Sequence, residues 1–220
     1  MPDVSMPTPM PTPMPTDEMY YYEPEHGHGL PHNPFNAIIA PRPIGWISTM
    51  GRDGSVNLAP YSFFNGFSYT PPIIGFSSTS AKDSLRNCEE TGEFVWNLVT
   101  RDLADAMNAS CAPAPYGTDE FGLAGLEKAA SRRVGPPRVA RSAVAFECKV
   151  TQIVPLLDRA GARTAGTLVL GQVVAVHISK ALLPGGVFDT FAAGIVTRAG
   201  GPSAYATITP ETRFDMRRPS

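Results

Sequence analysis

No window of this chain holds the roughly 20 consecutive apolar residues that cross a bilayer, so no membrane partner is expected. No run of Lys or Arg marks a nucleic-acid surface and no acidic block marks an interaction tail; the net charge is only −2. Cysteine is scarce: Cys88, Cys111 and Cys148 stand far apart, and no Cys-x-x-Cys is present. That excludes a zinc ribbon or a redox pair and fits buried thiols in a reducing, cytoplasmic compartment. Both common nucleotide signatures are missing, the Gly-x-x-x-x-Gly-Lys-Ser/Thr loop and the Gly-x-Gly-x-x-Gly turn after a strand, so a Rossmann nicotinamide site is not expected. The start of the chain lacks the basic end and apolar centre of a secretory signal.

What is there is a chain of 220 residues, 43% of them hydrophobic, enough for one domain with a substantial core. Residues 1–19 repeat Met-Pro-Thr and read as an extended, disordered tail, because proline at every second or third position suits neither a helix nor a ladder. Ordered structure is expected over 20–220, beginning with an irregular segment rich in Tyr, His, Gly and Pro. "IGWISTM", the turn "GRDG" and "SVNLAPYSFF" read as a hairpin, and "PPIIGFSS" as a further strand. A helix follows, with Ser80 expected at its N-cap, Leu85 and Cys88 on its apolar stripe, and Gly92 at its stop. "EFVWNLV", "SAVAFECKVTQIVPL", "TLVLGQVVAVHIS" and "GGPSAYATI" read as strands, and "RDLADAMNASC" as a helix burying Leu103, Ala106, Met107 and Ser110. Strict β-α alternation is absent, which points to a mainly β protein, an antiparallel barrel with a few short peripheral helices.

The stretch "FSSTSAKDS" carries the strongest chemical suggestion. The first N–H groups of a helix have no internal acceptor, and the macrodipole makes that end positive. Ser77, Ser78, Thr79, Ser80, Ser84 and Lys82 would add donors around a phosphate, with Asp83 partly offsetting Lys82. The same residues also read as a plain cap before a surface helix, and the window leaves both open. In "NLAPYSFFN", Asn57, Ala59 and Tyr61 share one strand face, with Leu58, Pro60 and Ser62 on the other. Proline there implies an edge or a bulge, hence unpaired backbone groups that a heterocycle can use. Arg42, in the proline-rich entry "APRPIG", is either a ligand contact or a structural charge.

The blocks "APRPIGWIST", "DGSVNLAPYSFFN", "PPIIGFSS", "KDSLRNCEETGEFVWNLV", "DEFGLAGL" and "FECKVTQIVPL" resemble, in this order, the flavin reductase-like family of FMN-binding split barrels, over about residues 20–219. The resemblance implies a six-stranded antiparallel Greek-key split barrel, a homodimer, and FMN at the subunit boundary. It places Trp46, Ile47, Ser48, Thr49, Asn57, Ala59, Pro60, Tyr61 and Ser62 along the flavin ring and ribityl chain, and Ser77, Ser78, Lys82, Asp83 and Ser84 around the phosphate. It adds Asn97 on a neighbouring strand, and Arg198 and Tyr205 near the dimer-related flavin. Ser84 stands where threonine is common in the family, and Trp96 where a smaller apolar residue is frequent.

A flavin does the redox chemistry itself, so no triad or metal is required. Of the histidines, His28 and His32 are candidates to border the flavin or substrate entry. His177, expected on one face with Val173 and Ala175, reads better as a buried, hydrogen-bonded residue. The leading reading is an NAD(P)H:flavin reductase, with NADH or NADPH as donor and a monooxygenase or other electron partner. Alternatives are an FMN-bound electron-transfer protein, a flavin-binding protein without turnover, and a flavoenzyme with its own small organic substrate.

Overall fold

The structure, a computed structural model, describes residues 19–80 and 82–219. The tail expected over 1–19 lies outside the described residues except for Met19. The chain divides into two compact units, one ending at Phe35 and one running from Asn36. In the first, the described residues form a 3-10 turn at Pro24–His26 and otherwise irregular chain. His28 organises it: its carbonyl accepts from the Tyr20 hydroxyl at 2.9 Å, and its Nδ1 from the Leu30 N–H at 3.0 Å. His32 is exposed.

A helical turn, α1 (Phe35–Ile38), precedes a two-residue strand, β1 (Arg42–Pro43). The expected hairpin follows, with β2 (Gly45–Met50) and β3 (Val56–Tyr61) paired from Gly45↔Tyr61 to Met50↔Val56. The turn between them closes through the Gly51 N–H and the Ser55 carbonyl, and Gly54 takes a φ of 83° that a side chain would resist. "SVNLAPYSFF" is not one strand, however. The chain bends at Ser62 and Phe63 and resumes as β4 (Phe64–Tyr69), which pairs with β5 (Pro72–Ser78).

Then come α2 (Asp83–Thr91), β6 (Glu93–Asn97), α3 (Ala104–Ala109) and α4 (Glu120–Leu123). The short pair β7 (Lys128–Ala129) and β8 (Arg138–Val139) leads into two long strands, β9 (Val144–Leu157) and β10 (Arg163–Ile178). A final pair, β11 (Val196–Arg198) and β12 (Tyr205–Thr207), joins β1 in a three-stranded sheet.

The main sheet has seven antiparallel strands in the order β3-β2-β6-β9-β10-β5-β4. Its two edge strands are joined by only Ser62 and Phe63, so the sheet must curl until its edges meet. The Ser77 N–H donates to the Phe63 carbonyl at 2.8 Å, which carries the β4–β5 ladder into that bend. The result is the split barrel that the resemblance implies. It has seven strands where six were expected, and β4 lies almost wholly beyond the expected strand over 55–64.

Alternation along the strands sorts the core. Ile47, Tyr61, Phe76, Phe94, Cys148 and Val169 fill the barrel, closed at one end by Leu85 and Cys88 of α2. Gly171 is bare because a side chain there would collide with the Phe94 ring. On the outer face of β2 and β3, Trp46 and Leu58 pack under Leu103, Met107, Phe121 and Val139. Each such side chain contributes roughly 1.5–3 kcal/mol on burial. Of the stripe expected on this helix, Leu103, Met107 and Ser110 are buried and Ala106 is half-buried, with Leu103 and Ser110 flanking α3. Trp96 spans the barrel wall, its indole N–H donating to the Ile44 carbonyl at 2.9 Å and its ring stacking on Phe64 at 5.6 Å.

Candidate functional site

Three walls enclose a cavity of about 410 Å³: the edge strand β3, the start of α2, and the loop 110–114. Asn57, Ala59, Pro60, Tyr61, Lys82, Asp83 and Ser84 all line it. β3 is an edge strand and carries Pro60 without a bulge, since its register with β2 is unbroken. Its free edge donates once, from the Leu58 N–H to Glu120 Oε2 at 2.9 Å. Two residues on, Pro60 has no N–H to offer.

The helix wall is built differently from the sequence expectation. Lys82, not Ser80, is the N-cap, in extended geometry (φ −108°, ψ 162°) and with no side-chain cap. Ser80 instead accepts at its carbonyl from the Ser78 hydroxyl at 2.8 Å. The first intrahelical bond runs from the Arg86 N–H to the Lys82 carbonyl. The N–H groups of Asp83, Ser84 and Leu85 therefore have no acceptor within the helix, at its positive end. Gly92 ends the helix in the left-handed region as expected.

Asn57 Nδ2 donates to the Ser84 hydroxyl at 2.7 Å and so locks β3 to α2. Beside them the buried Tyr61 hydroxyl makes no well-formed hydrogen bond, and burial pushes its pKa up to about 12 against the opposing effect of the nearby Ser84 and Ser78 hydroxyls. The Lys82 ammonium lies 6.0 Å from the Tyr61 ring centre. Burial also raises the Glu120 carboxyl, against the opposing effect of the Leu58 N–H. One end of the cavity thus holds a cation, open amides and an orphaned hydroxyl, a donor set that fits a phosphate.

The other sequence candidates lie elsewhere. Trp46, Ile47, Ser48 and Thr49 are wholly buried, and Trp46, Ile47 and Ser48 pair on both sides, with β3 and β6. Their side chains serve the fold: Trp46 Nε1 donates to Ser110 Oγ at 3.0 Å, Ser48 Oγ to the Pro137 carbonyl at 2.5 Å, and Thr49 Oγ1 accepts from Asn87. Asn97 is a buried strut, donating to the Trp46 carbonyl and accepting from the Val139 N–H. Ser62 and Ser77 line a separate apolar groove along the barrel seam with Phe63 and Phe67, and Ser78 is buried. Arg198 and Tyr205 face each other across β11 and β12, the guanidinium 4.7 Å from the ring centre, and line a third groove beside Arg101 and Asn108.

Arg42 proves structural. Its guanidinium donates to the carbonyls of Ser62, Asn36 and Ile39, and it is nearly buried. The rigid proline entry thus holds Arg42 where it fixes the bend at Ser62. His177 also departs from expectation. A register shift between Val173 and Ala175 turns it off the Val173 face, and it meets Glu147 at 2.5 Å, only partly buried. Cys111 is exposed at the cavity wall, not buried like Cys88 and Cys148.

Glu120 and the loop residues 110–114, Cys111 among them, line the cavity although sequence reasoning named none of them as site residues. Glu120 sits within the quoted "DEFGLAGL" block, so a signal existed. The loop around Cys111 has no pattern that places it against β3. Among the described residues, the one cluster of possible metal ligands is Glu23, Glu25 and His26, all exposed; it includes neither His28 nor His32.

A family model for the flavin reductase like domain matches residues 39–191. An uncharacterised protein of Halalkalibacterium halodurans is 36% identical over 168 residues, covering 74% of this chain and 80% of that protein. Among solved structures, nitrilotriacetate monooxygenase component B from Bacillus cereus superposes with a TM-score of 0.79 at 26% identity, over 90% of this chain and 100% of that one. The 2-nitrobenzoate 2-nitroreductase NbaA of Pseudomonas fluorescens superposes with a TM-score of 0.73 at 26% identity, over 84% of this chain and 91% of that one.

Proposed function

Because the chain belongs to the flavin reductase-like domain family, we propose that this flavin-related oxidoreductase is an NAD(P)H:flavin reductase using FMN. The observation that carries the reading is the phosphate-suited end of the cavity: Lys82, the open amides of α2, and the orphaned Tyr61 hydroxyl. FMN ends in a phosphate and needs no second nucleotide site.

In this reading Lys82, Ser84 and the amides of residues 83–85 hold the phosphate, and Tyr61 gains the hydrogen bond it lacks. Asn57, Ala59 and Pro60 flank the remainder of the cofactor, and Asp83 limits the net charge. Bound FMN would supply the hydride-accepting chemistry. The protein's part is to orient, to exclude water and to keep β3 rigid, which the Asn57–Ser84 bond and the Glu120 carboxylate do from opposite sides. Trp46, Ile47, Ser48, Thr49 and Asn97 act from behind, as the framework that sets β3. A homodimer would bring Arg198 and Tyr205 to the second copy's flavin, with Ser62, Ser77 and Ser78 bordering the seam. His28 and His32 belong to the first unit.

The Bacillus cereus neighbour is one component of a monooxygenase, which supports a partner oxygenase as the acceptor of reduced flavin. No helix among the described residues is long and apolar enough to cross a membrane, and the proposed site of action is the cytoplasm. The test is a visible spectrum of the purified protein, reconstituted with FMN, before and after anaerobic NADH or NADPH. Flavin absorbance that bleaches, with repeated turnover on added free flavin, supports the reading. A folded protein that takes up no FMN overturns it, and bleaching without turnover on free flavin replaces it with an electron carrier.

A further inference from the structure

Between Glu127 and Glu147 the sequence contains no acid but five cations, Lys128, Arg132, Arg133, Arg138 and Arg141. Two of them have carboxylate partners, Lys128 with Asp119 at 2.5 Å and Arg141 with Asp102 at 3.0 Å. Arg132, Arg133 and Arg138 are in no ion pair among the described residues. These same three line one open groove of about 630 Å³ together with His177, and no Asp or Glu lines it. It shares no residue with the cavity at β3 and α2.

The groove is built on a buried carboxylate. Glu147 has no exposed surface and accepts from the Arg132 N–H at 2.8 Å, the Arg133 N–H at 2.5 Å and His177 Nε2 at 2.5 Å. Burying a carboxylate is costly unless donors surround it, and here the donors are the backbone that carries two of the arginines. Its oxygens are thereby occupied, and it holds the Arg132–Arg133 backbone and the His177 ring in place. The bulge between Val173 and Ala175 is what brings His177 to this side, since Ala175 is the register partner of Glu147. Arg138 is steadied by the Ala130 carbonyl, which its Nη2 reaches at 3.2 Å.

We propose that this groove binds a multiply charged phosphoryl anion, either inorganic pyrophosphate or the pyrophosphate of a nucleotide. A guanidinium presents parallel N–H donors that match a phosphoryl group, and three of them without a facing acid create a positive field that a monoanion would only partly satisfy. Nothing in this proposal requires the flavin reading.

The test is calorimetric titration of the full-length protein, as purified, with pyrophosphate and separately with ADP at low salt. The expected result is saturable binding that weakens at least tenfold in R132A/R133A and weakens further in R132E/R133E. Circular dichroism melting checks that the exposed substitutions leave the fold intact. ADP binding tighter than pyrophosphate assigns the groove to a nucleotide, and the reverse order assigns it to the free anion. Absence of saturable binding, or equal affinity in R132A/R133A, overturns the proposal.

Discussion

The side-chain amide of Asn57 donates to the hydroxyl of Ser84 across 2.7 Å, and both residues are buried. This bond joins the edge strand of the barrel to the first turn of α2, the two walls that face each other across the cavity. Replacing Asn57 with Ala leaves the Ser84 hydroxyl without that donor and is expected to cost about 1–3 kcal/mol of stability. Urea unfolding measures that cost, and a fluorescence titration with FMN is expected to show weaker binding in the same variant.

Lys82 offers a test of which end of the ligand the helix receives. In K82A, FMN affinity is expected to fall about tenfold, a loss of about 1.4 kcal/mol, while affinity for riboflavin, which lacks the phosphate, stays the same. Wild-type FMN binding is expected to weaken with added salt, and K82A to show a shallower salt dependence. Equal losses for both ligands would place the phosphate elsewhere.

The three thiols differ in exposure. Burial pushes the pKa of Cys88 and Cys148 well up, and both side chains are enclosed. Iodoacetamide is expected to label Cys111 in the native protein and all three only in denaturant, as mass spectrometry of tryptic peptides will show. Prior addition of FMN is expected to slow labelling of Cys111, since that residue lines the cavity.

Burial raises the Glu120 carboxyl, so the folded state holds its proton more firmly than the unfolded chain does. Its contribution to stability is complete below the ordinary carboxylate range and is lost as pH rises through the raised value. E120Q keeps an oxygen for the Leu58 N–H but does not ionise. Relative to E120Q, the wild type is expected to lose stability as pH rises from the ordinary carboxylate range through the raised value, read as diverging urea midpoints.

Glu147 carries the opposite sign. Burial alone would raise its carboxyl, but the donors from His177, Arg132 and Arg133 outweigh it and hold it below the usual range. The stabilisation is present above the unfolded carboxylate value and is lost as pH falls through the lowered one. E147Q presents an N–H to a site made of donors and is expected to be destabilised at neutral pH by about 3 kcal/mol. Its acid limb is expected to be flatter than that of the wild type in pH-dependent thermal melts.

Much of the barrel is legible in the pattern of residues. The hairpin at residues 45–61, the alternating faces of β3, the stripe of α2 and its stop at Gly92 follow from short-range rules, because each depends on neighbours a few positions away. What misleads is local as well. Ser80 looks like a cap by composition, but Lys82 is the extended residue that precedes the helix, which begins at Asp83. The bend at Ser62 has no Gly or Pro to announce it; Arg42, twenty residues earlier, engages the Ser62 carbonyl there.

By itself, then, the order of residues determined the strand-rich class, the apolar and polar faces of most elements, and the family blocks that mark this chain. Tertiary structure decided which candidates share a cavity. Closure of the sheet brought Asn57, Tyr61, Lys82 and Ser84 together with Glu120, while it sealed Trp46, Ile47, Ser48, Thr49 and Asn97 inside the framework. It also decided, through one bulge in β10, that His177 meets a buried carboxylate beneath three arginines. Strand register and burial are properties of pairs distant in sequence, and no periodicity along the chain encodes which partner an edge, a bulge or a lone carboxylate will find.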